Sequence, residues 1–258
     1  MQRRTLLTLP LGATFLQAQT PAATQRVLLE LRYFHMRQGR QVQRTTDYLQ
    51  RGLAPAWERA GVRPVGCFSA VIAPSVPFHL TMASYPSMAA FEASREKLAA
   101  DKELQAVADQ YDSPTELSYI SMENSLLRAF PSLPSVLAPP APPAGQNQAN
   151  HIFELRTYES ANEKLHERKI KMFGEGEFDI FRRCGMLPVF AGQAIVGSHL
   201  PSLTYMLAYP DLAGREKSWR AFNADPEWLK LRATAGDVEL VSNFSNSILQ
   251  PLAFSPIR

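Results

Sequence analysis

Residues 30–103 and 154–227 align at a constant offset of 124 without a gap and agree at 20 of 74 positions, where roughly 4 or 5 agreements follow from average residue usage. The agreements fall where geometry is demanding. Glu30-Leu31-Arg32 returns as Glu154-Leu155-Arg156, Gly61 with Pro64-Val65 as Gly185 with Pro188-Val189, and Met82 with Tyr85-Pro86 as Met206 with Tyr209-Pro210. Further on, Asn124-Ser125-Leu126-Leu127 is echoed by Asn246-Ser247-Ile248-Leu249 after a two-residue deletion. A gap-free match needs the same elements and turns twice, so the chain is a tandem duplication and its fold must be one that each half can build.

Periodicity predicts the same elements in both halves. The first reads as strand Val27–Phe34, helix Arg40–Ala60 capped by Gly61, strands Val65–Ile72 and Phe78–Tyr85, helix Ser87–Gln110 and strand Leu117–Ser125. The second reads as His151–Tyr158, Glu163–Cys184, Val189–Val196, Leu203–Tyr209, Asp211–Leu231 with a break at Asp225-Pro226, and Val238–Leu249. This βαββαβ order is the ferredoxin-like unit, an α+β fold whose four-stranded sheet carries both helices on one face and leaves the other bare. Two bare faces in one polypeptide predict two tandem repeats packed sheet to sheet, an intrachain version of a dimeric α/β barrel.

Strand alternation then sorts the side chains. Leu29 and Leu31, like Phe153, Leu155 and Thr157, share one face; Glu30, Arg32 and Phe34, like Glu154, Arg156 and Tyr158, share the other. If the apolar face takes the helices, the Glu-x-Arg pairs point into the barrel, either as a salt-bridged core or as the lining of a wet cavity for a polar ligand. Tyr85 and Tyr209 end equivalent strands, where a hydroxyl serves as donor or simply packs. Those eight residues are the candidate cavity lining.

Other chemistry is sparse. His35, His79, His151, His166 and His199 occupy no repeated position and no metal-ligand spacing, so no metal is expected; His35 and His79, at strand ends, are candidate haem ligands or general bases. Cys67 and Cys184 are read as separate buried thiols rather than a bridge. Glu175, Glu177 and Asp179 read as the solvated rim of a helix, and Trp219 and Trp228 as core anchors or a pocket wall. No P-loop, G-x-S-x-G or G-x-G-x-x-G motif occurs. With 27 Lys plus Arg against 24 Asp plus Glu and no basic block, nucleic acid is not an expected partner.

Residues 1–23 open with Arg3-Arg4 before a short apolar run broken by Pro10 and Gly12, the layout of a twin-arginine export signal and too short to span a bilayer. The expectation is export to the periplasm or cell envelope; a cytoplasmic tail is the alternative. Domain boundaries follow: a signal segment over 1–23, a first repeat over 26–130, a spacer over 131–150 and a second repeat over 151–258. The spacer, six prolines in twenty residues and no charge, reads as an extended polyproline strap.

The second copy resembles the bacterial NIPSNAP domain. The likeness rests on His151-Ile152-Phe153-Glu154-Leu155-Arg156-Thr157-Tyr158, Lys169-Ile170-Lys171-Met172-Phe173, Phe181-Arg182-Arg183, Gly185, Pro188-Val189, Leu203-Thr204-Tyr205-Met206-Leu207 and Ala224-Asp225-Pro226-Glu227-Trp228. The first copy is similar but eroded, with Asp101-Lys102-Glu103-Leu104 in place of Asp-Pro-Glu-Trp. The resemblance implies a dimeric α/β barrel and no settled reaction; relatives on the same superfold include cofactor-free monooxygenases, haem-degrading enzymes and stress-response proteins. The leading expectation is a small-ligand-binding protein of the cell envelope with no cofactor. The alternatives are a monooxygenase-like or haem-handling enzyme, and a structural module without a ligand; further homo-oligomerisation stays open.

Overall fold

Each half of the chain folds into a four-stranded sheet, and the two sheets close on one another. The computed structural model describes residues 25–111, 116–140 and 151–258; the expected signal segment and residues 141–150 of the spacer lie outside them. The first repeat runs β1 (Leu28–His35), α1 (Arg40–Tyr48), α2 (Ala54–Ala60), β2 (Val65–Ile72), β3 (Phe78–Tyr85), α3 (Met88–Ala100), α4 (Lys102–Tyr111) and β4 (Ser121–Ala129). The second runs β5 (Ile152–Glu159), α5 (Glu163–Met172), α6 (Phe178–Arg183), β6 (Leu187–Val196), β7 (Ser202–Tyr209), α7 (Leu212–Ala224), α8 (Pro226–Ala233) and β8 (Asn243–Pro251). Wide π turns, Leu49–Leu53 and Phe173–Glu177, join α1 to α2 and α5 to α6 at equivalent places.

The strand orders are β4-β1-β3-β2 and β8-β5-β7-β6, and antiparallel pairing of β2 with β8 and of β4 with β6 seals the edges into a closed eight-stranded barrel. Closure removes every sheet edge. At the second seam β4 passes so close to Gly192 that a Cβ there would stand 3.0 Å from Leu127 Cβ. The tails exchange: Phe130 and Leu133, after β4, are buried with the second repeat's helices, whereas Ser255 Oγ, after β8, accepts from Cys67 N at 2.9 Å on β2. The start of the spacer is thus packed rather than free, with Leu137 N donating to Val189 O at 2.8 Å.

The two sheet faces are the reverse of the sequence expectation. One buried cluster gathers Leu29, Leu31, Phe68, Phe78, Leu80, Met82, Leu127, Phe153, Leu155, Phe190, Met206 and Leu249, drawn from all eight strands and from no helix; it fills the barrel. Phe68 and Phe153, from different repeats, meet at 4.9 Å in an edge-to-face pair. Leu28, Phe34, Tyr85, Tyr205 and Tyr209 pack instead with helical Leu53, Trp57, Phe173 and Phe181. The expected inward face of Glu30, Arg32, Phe34, Glu154, Arg156 and Tyr158 is therefore the face under the helices. The reason is supply of partners: a closed barrel brings only strand side chains to its axis, so Leu, Phe and Met settle there, while the outer layer supplies donors to the carboxylates, Arg215 and Trp219 from α7 for Glu154 and the neighbouring strand residues Arg32, Tyr85 and Asn124 for Glu30.

The second helical region of each repeat breaks at an aspartate. Asp225 caps α8 by accepting from Glu227 N and Trp228 N, and Asp101 accepts from Leu104 N at 2.9 Å where a continuous helix was expected. Each is gripped by the equivalent arginine through two nitrogens, Arg183 on Asp225 and Arg59 on Asp101. No helix among the described residues is long and apolar enough to cross a membrane.

Candidate functional site

Between sheet and helices each repeat holds one buried glutamate at the same position. In the first repeat Glu30 accepts from Arg32 Nη2 at 2.6 Å, Asn124 Nδ2 at 2.7 Å and the Tyr85 hydroxyl at 2.8 Å. In the second, Glu154 accepts from Arg156 Nη1 at 2.9 Å, both Nη2 and Nε of Arg215 at 2.6 and 2.9 Å, Trp219 Nε1 at 2.7 Å and the Tyr209 hydroxyl at 3.0 Å. Burial alone would raise the Glu154 carboxyl; hydrogen bonds from Arg215 and Trp219 and the charge of Arg156 outweigh it and hold the group below its ordinary value. With five donors on two oxygens Glu154 is saturated and serves as a keystone.

Around that keystone the second repeat opens a cleft of about 690 Å³, bounded by β5, α5, the wide turn, α7, α8 and the segment 235–244. Arg156 stands in it among aromatic rings: its guanidinium carbon lies 4.8 Å from the Trp219 ring centre, 5.4 Å from Tyr158 and 5.5 Å from Phe244. Nη1 is held by Glu154 and Nε by the Tyr158 hydroxyl at 3.2 Å, while Nη2 makes no hydrogen bond among the described residues. The Tyr158 hydroxyl lies 2.7 Å from that of Tyr205, whose ionisation burial pushes well above the usual range.

A second buried carboxylate faces the same cleft. Lys169 Nζ donates to both oxygens of Glu177, at 3.0 and 2.7 Å, and lies 4.6 Å from the Phe173 ring and 5.5 Å from Trp228. Lys169 is the only hydrogen-bond donor to Glu177 among the described residues, so two lone-pair sites stay open. Burial raises its carboxyl, against the opposing charges of Lys169 and Arg156. Glu177 was expected on a solvated rim; it is 2% exposed because the wide turn and Gly176, at φ 136°, rotate the chain inward. Glu175 and Asp179 do stay outside.

The first repeat does not reproduce this cleft. Leu53 stands where the second has Glu177, Thr45 where it has Lys169, Arg95 for Trp219 and Leu104 for Trp228. Leu49, Leu53 and Trp57 pack against Phe34 in one apolar cluster, and Tyr119 closes on Phe34 at 5.3 Å. Of the eight expected lining residues, Arg156 and Tyr158 line the cleft, Glu154 and Tyr209 brace it from below, and Glu30, Arg32, Phe34 and Tyr85 form the packed counterpart. Trp219 and Trp228 are pocket walls. Sequence reasoning missed the Lys169–Glu177 pair, although Gly174 and Gly176 interrupting a helical pattern signal it. It also missed Arg215, whose counterpart is Phe91 and for which no signal existed.

The histidines do not assemble. His79 lies under the helices, 2.8 Å from Thr46 Oγ1, and burial lowers its pKa to about 4. His35 lies on the opposite sheet face beside Phe78 and 3.0 Å from Glu123. Neither lines the cleft. Among the described residues no three His, Cys, Asp or Glu side chains converge. Cys67 and Cys184 are free thiols; burial pushes Cys67 up to about 12, while Cys184, expected to be buried, is half-exposed.

Sequence and fold comparisons agree with the duplicated architecture. The NIPSNAP family model matches residues 29–134 and again 153–256. None of the curated proteins matches the chain. Among solved structures, a candidate monooxygenase of Fusobacterium nucleatum superposes with a TM-score of 0.56 at 13% identity, covering 89% of this chain and 94% of that one. A candidate monooxygenase of Lactobacillus acidophilus gives 0.57 at 8% identity over 88% and 94%. An anthrone oxidase-like protein gives 0.52 at 10% identity over 89% and 93%. At these identities the likeness is one of fold.

Proposed function

The chain belongs to the NIPSNAP family, and from that premise and the chemistry of its cleft we propose that it is a cell-envelope protein binding one small aromatic, acidic ligand per chain. The observation that carries the reading is Arg156, a cation under aromatic rings whose Nη2 makes no hydrogen bond among the described residues, at the wall of a cleft of about 690 Å³. Cavities of this size suit a single small molecule, and aromatic walls with a few fixed polar groups are their usual lining. Arg156 is preorganised by Glu154 and Tyr158, so binding spends little entropy on ordering it. The first repeat, with its equivalent space packed, serves as the other half of the barrel.

Calorimetric titration with benzoate and 4-nitrophenol tests this. The expected result is one equivalent per chain and a weakening of about tenfold or more in R156M, since a hydrogen bond to a charged group contributes about 1.5–3 kcal/mol. If neither probe binds, and native mass spectrometry finds no copurifying small molecule, the cleft is not a ligand site. The envelope part has its own test: the full chain is expected in the periplasmic fraction and its R3K/R4K variant in the cytoplasm, and cytoplasmic location of both removes the envelope from the proposal.

A further inference from the structure

Two buried carboxylates stand near the cleft, and their surroundings divide their roles. Glu154 has no free lone-pair site, because guanidinium, indole and phenol donors occupy both oxygens. Among the described residues Glu177 accepts only from Lys169; it lines the cleft and is as thoroughly buried. In the same cleft, Arg156 offers an N–H that no described residue accepts from. Among its buried and half-buried side chains the cleft thus presents one open acceptor that carries negative charge and one open donor that carries positive charge, between aromatic walls, with the exposed Arg232 and Glu239 at its rim.

That pair selects among ligand head groups. An amine or ammonium would be drawn to Glu177 but repelled by Arg156. A carboxylate suits Arg156 but sets a second negative charge against Glu177. A weakly acidic O–H on an aromatic ring suits both, as a donor to Glu177 before ionisation and an acceptor from Arg156 after it. Resting on the binding reading above, we propose that the cleft takes a phenol and ionises it, Glu177 accepting the proton and Arg156 holding the phenolate. The phenolic O–H bond breaks, its electron pair stays on the aryl oxygen, and a new O–H bond forms on the Glu177 carboxylate; no other reactant is consumed. The direction of the Glu177 shift, upward through burial, is the one that favours it as a proton acceptor. Lys169 and Tyr158 also face this space, and Tyr205, behind Tyr158 and hydrogen-bonded to it, is held neutral by burial, so it does not compete as an anion.

The test uses 4-nitrophenol, whose anion absorbs in the visible, at a pH about one unit below its own pKa, where roughly a tenth of the free probe is ionised. Wild-type protein at saturation is expected to raise the phenolate band several-fold. E177Q is expected to bind the probe in its neutral form. Because that variant strands Lys169, the doubly neutral K169Q/E177Q is measured beside it, with circular dichroism to confirm the fold, and is expected to give the same neutral spectrum. A bound but neutral probe in the wild type overturns the inference and leaves the binding reading standing. A phenolate band that survives in K169Q/E177Q also overturns it, since Arg156 alone then accounts for ionisation. Absence of any spectral or calorimetric response to the probe overturns the inference, and the binding reading falls with it only where benzoate also fails to bind and no small molecule copurifies.

Discussion

Replacing Glu154 by Gln tests whether the inner carboxylate is the keystone of the second repeat. The carboxylate is fully buried and takes two donors on Oε1, from Arg156 and Arg215, and three on Oε2, from Arg215, Trp219 and Tyr209. An amide placed in its most favourable orientation sets its NH2 group where Oε1 was, turning two attractive contacts into donor against donor. It also leaves two guanidiniums without their counter-charge. Breaking a buried ion pair from one side costs about 3–5 kcal/mol. For a chain of this size each kcal/mol lowers the melting temperature by roughly 2–4 °C, so E154Q should melt roughly 6–20 °C lower at neutral pH. Urea unfolding should show a lower midpoint with an unchanged slope. The pH dependence supplies a control. The folded pKa of Glu154 is depressed, so its contribution is present above the ordinary carboxylate pKa and is lost as pH falls through the lower folded value; variant and wild type should converge in acid. A loss below about 1 kcal/mol at neutral pH, or a difference that persists after acidification, refutes the keystone role.

Two further outcomes follow from other parts of the barrel. His79 titrates at about 4 in the fold against an ordinary 6.5, so the unfolded chain binds more protons in that window and stability falls as pH drops through it; H79L, which installs the residue found at the equivalent Leu203, should remove roughly 3 kcal/mol of that acid sensitivity in urea titrations, and an unchanged slope contradicts the assignment. F153A, emptying the barrel beside Phe68, should cost about 3–5 kcal/mol while the equally conservative-looking T157A, half-buried near the strand end, costs far less; equal losses would contradict an apolar interior.

The elements were legible almost to the residue where turn chemistry punctuates them: Val65–Ile72 and Phe78–Tyr85 form as read, and Gly61 and Gly185 end their helices at φ 79° and 82°. The break at Asp101 was legible only through the repeat, since its partner Asp225 precedes a proline and Asp101 does not. Alternation correctly grouped Glu30 with Arg32 and Glu154 with Arg156, but it is silent on which face meets the helices. That is decided by tertiary partners such as Arg215, 61 residues from Glu154. The Glu177 pair was hidden for a related reason: a π turn shifts the helical register by a residue, and side chains beyond it leave the face that a constant period assigns.

The chain's three tryptophans make the central claim directly measurable, for Trp219 and Trp228 line the cleft of the second repeat while Trp57 is buried in the packed equivalent of the first. With 5-fluorotryptophan incorporated and each signal assigned by single Trp-to-Phe variants, fluorine NMR during titration with 4-nitrophenol should move the Trp219 and Trp228 resonances. They should saturate at one equivalent per chain, with Trp57 unmoved. A shift of Trp57 alongside them, or saturation at two equivalents, would place ligand in both repeats and contradict the single-cleft account.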